Sequence, residues 1–252
     1  MQHSVRGRVA EVVLDFPPVN ALPVKAWLEL AELLLRLGRD TTISALILAA
    51  EGRGFCAGPD MKELAAGGRE TLVDVNRACY AAFAAVFECQ VPVIAAVQGF
   101  CLGGGIGLVG NADIVVASQD AVFGLPEVDR GALGAATHLA RLVPGHRVRS
   151  ILYTGGTATA QELKTYGSVL EVVALEQLRN AARRVADTIA EKHPEVIRKA
   201  KESVNGIEPV DPRKSYRFEQ GFTFELNLSD VPDEARKAFV EKRKPDYGEK
   251  HD

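Results

Sequence analysis

Long apolar runs are what this sequence lacks most plainly. No stretch of the 252 residues approaches the ~18 apolar positions that mark a membrane-spanning helix. The N-terminal MQHSVRGRVAEVVLDF has neither a secretory apolar core nor the Ser/Arg-rich character of a transit sequence, so the expectation is a soluble, cytoplasmic protein. Cysteine is scarce. Cys56, Cys79, Cys89 and Cys101 form no CxxC pair and have no histidine at zinc-ligand spacing, which speaks against a structural metal site and for buried, reduced thiols. No sign of charge dominates either: 30 basic and 33 acidic residues leave a net charge of −3. No block of like charge marks a nucleic-acid or polybasic membrane surface. A G-x-S-x-G elbow and a P-loop are missing, and the five histidines lie far apart without a triad signature.

What is present is a chain with 47% hydrophobic residues, enough for a substantial core. Val9 to Phe16 reads as a strand, FPPVNALP as a turn-rich connection, and Val24 to Gly38 as a helix with apolar spacing through Trp27, Leu30, Ala31, Leu34 and Leu37. Ile43 to Ala50 is apolar almost throughout, as a strand covered on both faces would be. The grammar repeats: helix over Arg69 to Glu88, strand over Val93 to Val97, a helix opening near Gly104, and strand over Ile114 to Ala117. Helical spacing prevails from Ala160 to Lys192, interrupted by the apolar Val169 to Val173. After Pro194 the pattern is helical, with breaks at Glu208 to Pro212 and at Ser229 to Glu234. The division is therefore a core over residues 1–192 and a helical region over 193–252. The latter has too little core of its own and is expected to pack on the main body or on a neighbouring subunit.

The stretch EGRGFCAGPDMKEL, Glu51 to Leu64, poses the chemical question. Glycines at 52, 54 and 58 fit a loop that approaches something closely, yet Pro59 follows, without a backbone N–H. An internal echo adds to this: Gly54–Gly58 and Gly99–Gly103 both read Gly-Phe-Cys-x-Gly after an apolar strand. Either the match is chance or two like-shaped loops face one site. Gly105 to Gly110 fits G-x-G-x-x-G literally, but seven residues separate it from Val97, whereas a dinucleotide-binding turn leaves its strand directly. A better reading is that GFCLGGGIG turns into a helix whose first N–H groups and dipole can serve a ligand oxygen.

Several motifs in order, among them FPPVNALP, GRGFCAGPDMKEL, AAVQGFCLGGGIGL, ADIVVAS, FGLPEVDRGALG, ILYTGGTATAQEL and AFVEKRKPDY, resemble those of the crotonase superfamily of enoyl-CoA hydratases and isomerases, across nearly the whole chain. The resemblance implies an α/β fold, a spiral of β-β-α turns with a C-terminal helical region, assembled as a trimer or hexamer. It also implies a coenzyme A thioester as substrate, with no separate cofactor. The two oxyanion N–H groups of the family fall at Pro59 and Gly104, so one donor is missing. Of the two glutamates with which family hydratases manage a water, one position is Gly107, which cannot titrate. The other is Glu127, whose apolar flanks would raise its pKa toward working pH; read without the resemblance, Glu127 would be an exposed carboxylate paired with Arg130.

For coenzyme A the resemblance points to Val19, Ala21, Ala57, Asp60, Met61 and Lys62, the last also able to meet phosphate as a point charge. Basic residues in EARKAFVEKRK either reach the nucleotide or form a solvated helix face. Cys56 and Cys101 flank the loops and are expected to pack there. A single carboxylate suits a proton shift within an enoyl-CoA better than hydration, so isomerisation through an enolate is the mechanistic expectation. The alternatives are an acyl-CoA-binding protein with impaired catalysis, or a hydratase with an altered acid/base set.

Overall fold

The computed structural model describes residues 1–247 apart from 68, 229, 230 and 242. Its strands are β1 (Gln2–Arg6), β2 (Val9–Leu14), β3 (Ala21–Leu22), β4 (Ala45–Ala50), β5 (Gly58–Pro59), β6 (Val93–Val97), β7 (Phe100–Leu102), β8 (Ile114–Ser118), β9 (Val122–Gly124), β10 (Thr157–Thr159) and β11 (Glu171–Val173). The helices of the core are α1 (Val24–Arg39), α2 (Met61–Ala66), α3 (Arg69–Glu88), α4 (Gly104–Val109), α5 (Ala136–Leu139), α6 (Gly145–Thr154), α7 (Ala160–Tyr166) and α8 (Leu178–Ala190). After them come α9 (Pro194–Ile207), α10 (Pro212–Leu228) and α11 (Val231–Val240).

Six strands form the main sheet in the order β1-β2-β4-β6-β8-β11, parallel except for the β1–β2 hairpin. Both faces are covered, which is why β4 is apolar without alternation. Leu46, Leu48 and Ala50 join the large core shared with α1 and α3, while Ala45, Ile47 and Ala49 pack with Ala181, Ala182 and Ala186 of α8. A second sheet, β10-β9-β7, and the two-stranded β3-β5 stand where β-β-α turns double back. The short strands β3, β5, β7, β9 and β10 were not legible as strands in the sequence, because two or three residues carry no period. The strand read from Val9 is β2 and ends at Leu14 rather than Phe16, β1 precedes it, and the apolar run from Ile43 begins pairing only at Ala45.

The C-terminal helices lie against the body of their own chain. Gln220 Nε2 donates to the Asn76 carbonyl at 2.9 Å, and Glu219 accepts from the Ala136 and Thr137 N–H groups that open α5, at 2.8 and 3.0 Å. Buried Lys201 on α9 meets Asp113 at 2.5 Å. Of the break read at Ser229 to Glu234, Ser229 and Asp230 lie outside the described residues, as does Lys242 of EARKAFVEKRK. Arg243 pairs with Glu234 and Glu241, which favours the solvated-face reading for that residue. Among the described residues no helix is long and apolar enough to cross a membrane.

Candidate active site

Two strand ends build the site. β4 and β6 are parallel neighbours, so the chain leaves both at the same edge of the sheet. The echoed loops then run side by side: Phe55 N–H donates to the Phe100 carbonyl at 2.9 Å, Leu102 N–H to the Cys56 carbonyl at 2.9 Å, and Cys56 and Cys101 form a parallel bridge. Gln98 Nε2 ties the second loop to the Ala50 carbonyl at 2.8 Å. The repeat is thus a pair of like-shaped loops at one place, not a coincidence of composition.

Glycine is required where these loops pass other groups. Gly58 has φ 95° and Gly103 φ 55°, both in the left-handed region that a Cβ disfavours. A Cβ on Gly103 would also collide with Glu127 Oε1, so this glycine is what lets the carboxyl approach the start of α4. Gly104 follows as the first residue of α4, where helix geometry leaves the N–H without an intrahelical acceptor. Pro59 sits opposite on β5. Asp60 N–H donates to Leu22 of β3 at 3.0 Å, and since peptide nitrogens alternate along a strand, the nitrogen of residue 59 faces away from β3. Proline carries no hydrogen on that nitrogen.

Glu127 enters from the short 3₁₀ turn Pro126–Arg130 that follows β9. β9 pairs in parallel with β7, and Gly103 N–H donates to the Gly124 carbonyl at 3.1 Å, which sets the turn beside the loop. Pro59, Gly104 and Glu127 line one cavity of about 120 Å³, together with Ala57 and Met61. Glu127 Oε2 is shielded from solvent and has no hydrogen-bond partner among the described residues. Burial pushes its pKa up to about 7, against the pull of its own backbone N–H and of Arg130, and Glu219 adds to the rise. The exposed, Arg130-paired carboxylate is therefore not what the fold makes of this residue.

Gly107, the position without a carboxylate, lies buried inside α4, and the Phe83 ring occupies the space a side chain would need. Phe83 belongs to an aromatic group with Trp27, His138 and Tyr216, at centroid separations of 5.7, 5.1 and 5.4 Å. The G-x-G-x-x-G glycines sit within or at the end of this helix, where Cβ atoms would strike Cys56, Phe83 and His138; close packing, not a nucleotide, explains them. Cys56 and Cys101 are fully buried, and loss of hydration raises the Cys56 thiol to about 12 and Cys101 well above its usual range. Both are neutral packing groups.

The remaining expected residues form a track beside the cavity. Ala21 pairs with Gly58, the Ala57 N–H donates to the Asn20 carbonyl at 3.3 Å, and Val19 lies next to it, half-buried. Asp60 caps α2 by accepting from Lys62 N–H at 2.8 Å, while the Lys62 side chain is exposed. The sequence reading missed the residue that holds this track. Asn20, with φ 51°, accepts from Phe16 N–H at 2.7 Å and donates to the Glu51 and Gly54 carbonyls at 2.8 and 2.9 Å. It also missed the lining from α3 and α10, notably Asn76, Phe83 and Tyr216. Asn76 was findable, as an amide inside the apolar stripe of a helix.

A buried carboxyl that titrates near neutrality beside a helix-opening N–H can move protons next to a polarised carbonyl. That is the class of site the fold defines. The family model for enoyl-CoA hydratase/isomerase matches residues 4–250, and the chain belongs to this family, within the crotonase superfamily. It is an acyl-CoA-processing enzyme of that fold. The chain is 61% identical over 238 residues to a (7aS)-7a-methyl-1,5-dioxo-2,3,5,6,7,7a-hexahydro-1H-indene-carboxyl-CoA hydrolase of Rhodococcus jostii, covering 94% of this chain and 92% of that protein. A Mycobacterium tuberculosis protein of the same description is 58% identical over 93% of this chain and 95% of its own length. Among solved structures, a carnitinyl-CoA hydratase from Mycobacterium avium superposes with a TM-score of 0.84 at 28% identity, covering 98% of this chain and 97% of that one.

Proposed function

We propose that the chain hydrolyses a coenzyme A thioester whose acyl group is a fused-ring dione, with Glu127 as the proton carrier. The single carboxyl among the described lining residues, with one buried oxygen that has no hydrogen-bond partner there and with the second carboxylate position closed by Phe83, supplies the proton carrier. It suits a proton shift as well, and what favours hydrolysis is the similarity to a hydrolase. Similarity at 61% to a hydrolase of that substrate supplies the substrate class.

In this reading the Gly104 N–H holds the thioester oxygen, and Glu127 in its ionised form takes a proton from water as the water oxygen adds to a carbonyl carbon. The bond beside that carbon then breaks, and the leaving atom, thioester sulfur or ring carbon, receives the proton Glu127 holds. Water is consumed and Glu127 returns to its starting state. Coenzyme A is gripped along Val19, Ala21, Ala57, Asp60, Met61 and Lys62, and Pro59 leaves the oxygen one donor short.

The test is incubation of the fused-ring thioester in heavy-oxygen water, followed by mass spectrometry. Label in a product supports hydrolysis, and whether coenzyme A is released or retained identifies the broken bond. Glu127→Gln should reduce turnover by ~10²–10⁴ with thioester affinity largely kept. Unlabelled, unchanged substrate with full turnover of a simple enoyl-CoA would overturn the hydrolytic reading in favour of proton-shift isomerisation, the reading a single carboxylate also suits. Tight binding with no turnover of either would leave an acyl-CoA-binding protein.

A further inference from the structure

One face of α3 lines the cavity through Leu72, Val75, Asn76, Cys79 and Phe83, spaced as successive turns of one helical stripe. Four of these are apolar. Asn76 is only 8% exposed, and its Nδ2 is shielded with no hydrogen-bond partner among the described residues. Asparagine is a poor helix former and costly to bury unsatisfied, so packing does not account for it.

Its orientation is fixed by a relay from α10. Arg217 donates to Gln220 Oε1 at 3.0 Å, and the Arg217 guanidinium lies 4.1 Å from the Tyr80 ring centroid. With its oxygen so engaged, Gln220 turns its Nε2 to Asn76, donating to the backbone carbonyl at 2.9 Å and approaching Oδ1 at 3.4 Å. The Asn76 oxygen therefore faces α10, and Nδ2 is the end left over. The relay meets the needs of one half of the amide and leaves the other half an enclosed, unpartnered donor on a residue that lines the largely apolar cavity.

We propose that Asn76 Nδ2 donates to a carbonyl oxygen of the acyl group itself, distinct from the thioester oxygen, and so selects oxo-acyl thioesters over their deoxo counterparts. A donor with no acceptor capacity suits an acceptor-only carbonyl. The loops carrying Pro59 and Gly104 form another wall, so one acyl group can meet both. This rests on the reading above that the substrate is a dione thioester, and it assigns a residue to the second carbonyl. A site built around a buried donor discriminates strongly against a ligand that leaves the donor unpaired.

The test uses two fused-ring coenzyme A thioesters that differ only in replacement of a ring carbonyl by a methylene. Affinities are measured by calorimetry in the Glu127→Gln background, which stops turnover, with Asn76, Asn76→Leu and Asn76→Asp. With Asn76 the oxo ester should bind about 10- to 100-fold tighter than the deoxo ester. Asn76→Leu should bring that ratio near one, chiefly by weakening the oxo ester. Asn76→Asp, similar in shape and measured at alkaline pH so that the carboxyl is ionised and only accepts, should reverse the ratio. Unchanged ratios in both variants, each still binding coenzyme A esters, would overturn the proposal. Should Asn76→Leu fail to fold, the Asp variant decides by its ratio. Turnover separates the two readings: oxo preference without hydrolysis by wild type sinks hydrolysis and keeps Asn76, whereas hydrolysis of both esters with equal kcat/KM does the reverse.

Discussion

At the scale of single residues, Glu127 links activity to stability. Its carboxyl ionises at about 7 in the fold against a reference of 4.5, because burial strips its hydration. Between those values the folded chain holds a proton that the unfolded chain has released. Stability therefore falls as pH rises from about 4.5 through about 7, by on the order of 3 kcal/mol in all. Glu127→Gln removes that loss. It should unfold at higher denaturant than wild type at pH 8 and at nearly the same denaturant near pH 4.5, while losing turnover. Chemical denaturation at the two pH values checks this, and equal stability at pH 8 would mean the carboxylate is better solvated than its surroundings suggest. As a base, the same group should make kcat climb with pH through about 7, which a pH–rate profile reads directly.

Pro59 is the second residue with a defined consequence. One oxyanion donor is typically worth ~10²–10³ in rate. Pro59→Ala restores an N–H on the side away from β3 and should raise kcat more than thioester affinity, since charge on the oxygen grows in the transition state. Proline also restrains Gly58, whose φ of 95° starts β5, so a crystal structure of the variant should accompany the kinetics. A well-aimed N–H with unchanged kcat would show that the missing donor does not limit this enzyme.

At the scale of elements, α4 is held by contact rather than by its own length. Six residues make little more than one turn and a half, and glycines at 105, 107 and 110 let it approach the Cys56 loop, Phe83 on α3 and His138 on α5. His138 Nδ1 pairs with Asn111 Nδ2 at 2.9 Å, and burial lowers the imidazole pKa to about 3, so the ring packs as a neutral group. Gly107→Ala would drive a methyl into the Phe83 ring. The expected cost is ~1–3 kcal/mol of stability, read as a lowered Tm, together with reduced kcat because Phe83 lines the same cavity. No loss of stability would mean that α3 yields easily at this point.

At the scale of the whole molecule, α9 and α10 bury one side against the body and leave another bare. Val196, Val204, Ile207, Phe218 and Phe222 are exposed, with Phe218 73% accessible, a set large enough to invite a covering surface. The expectation from the family resemblance is threefold assembly. Light scattering at micromolar concentration should give a trimer or hexamer, and Phe218→Asp should shift it toward smaller species. A monomeric wild type would show that these helices serve only their own chain.

The sequence by itself determined a good deal. Long elements such as α1, α3, β4 and β6 were readable because apolar spacing over many residues leaves little choice of face. The resemblance of the loop motifs to the family pointed to Pro59, Gly104, Gly107 and Glu127; the residues read alone left Glu127 an exposed carboxylate. Only the tertiary structure decided the rest. The strands of two or three residues exist because longer partners template them. Asn20 pins the stretch before β3 to the loop after β4 through bonds to residues more than 30 positions away. The pKa of Glu127 depends on how completely α3, α10 and the glycine loops exclude water from it. The Asn76 donor is aimed by Gln220, 144 residues further along the chain. Burial and long-range hydrogen bonds are properties of what the chain brings together, and no local pattern encodes them.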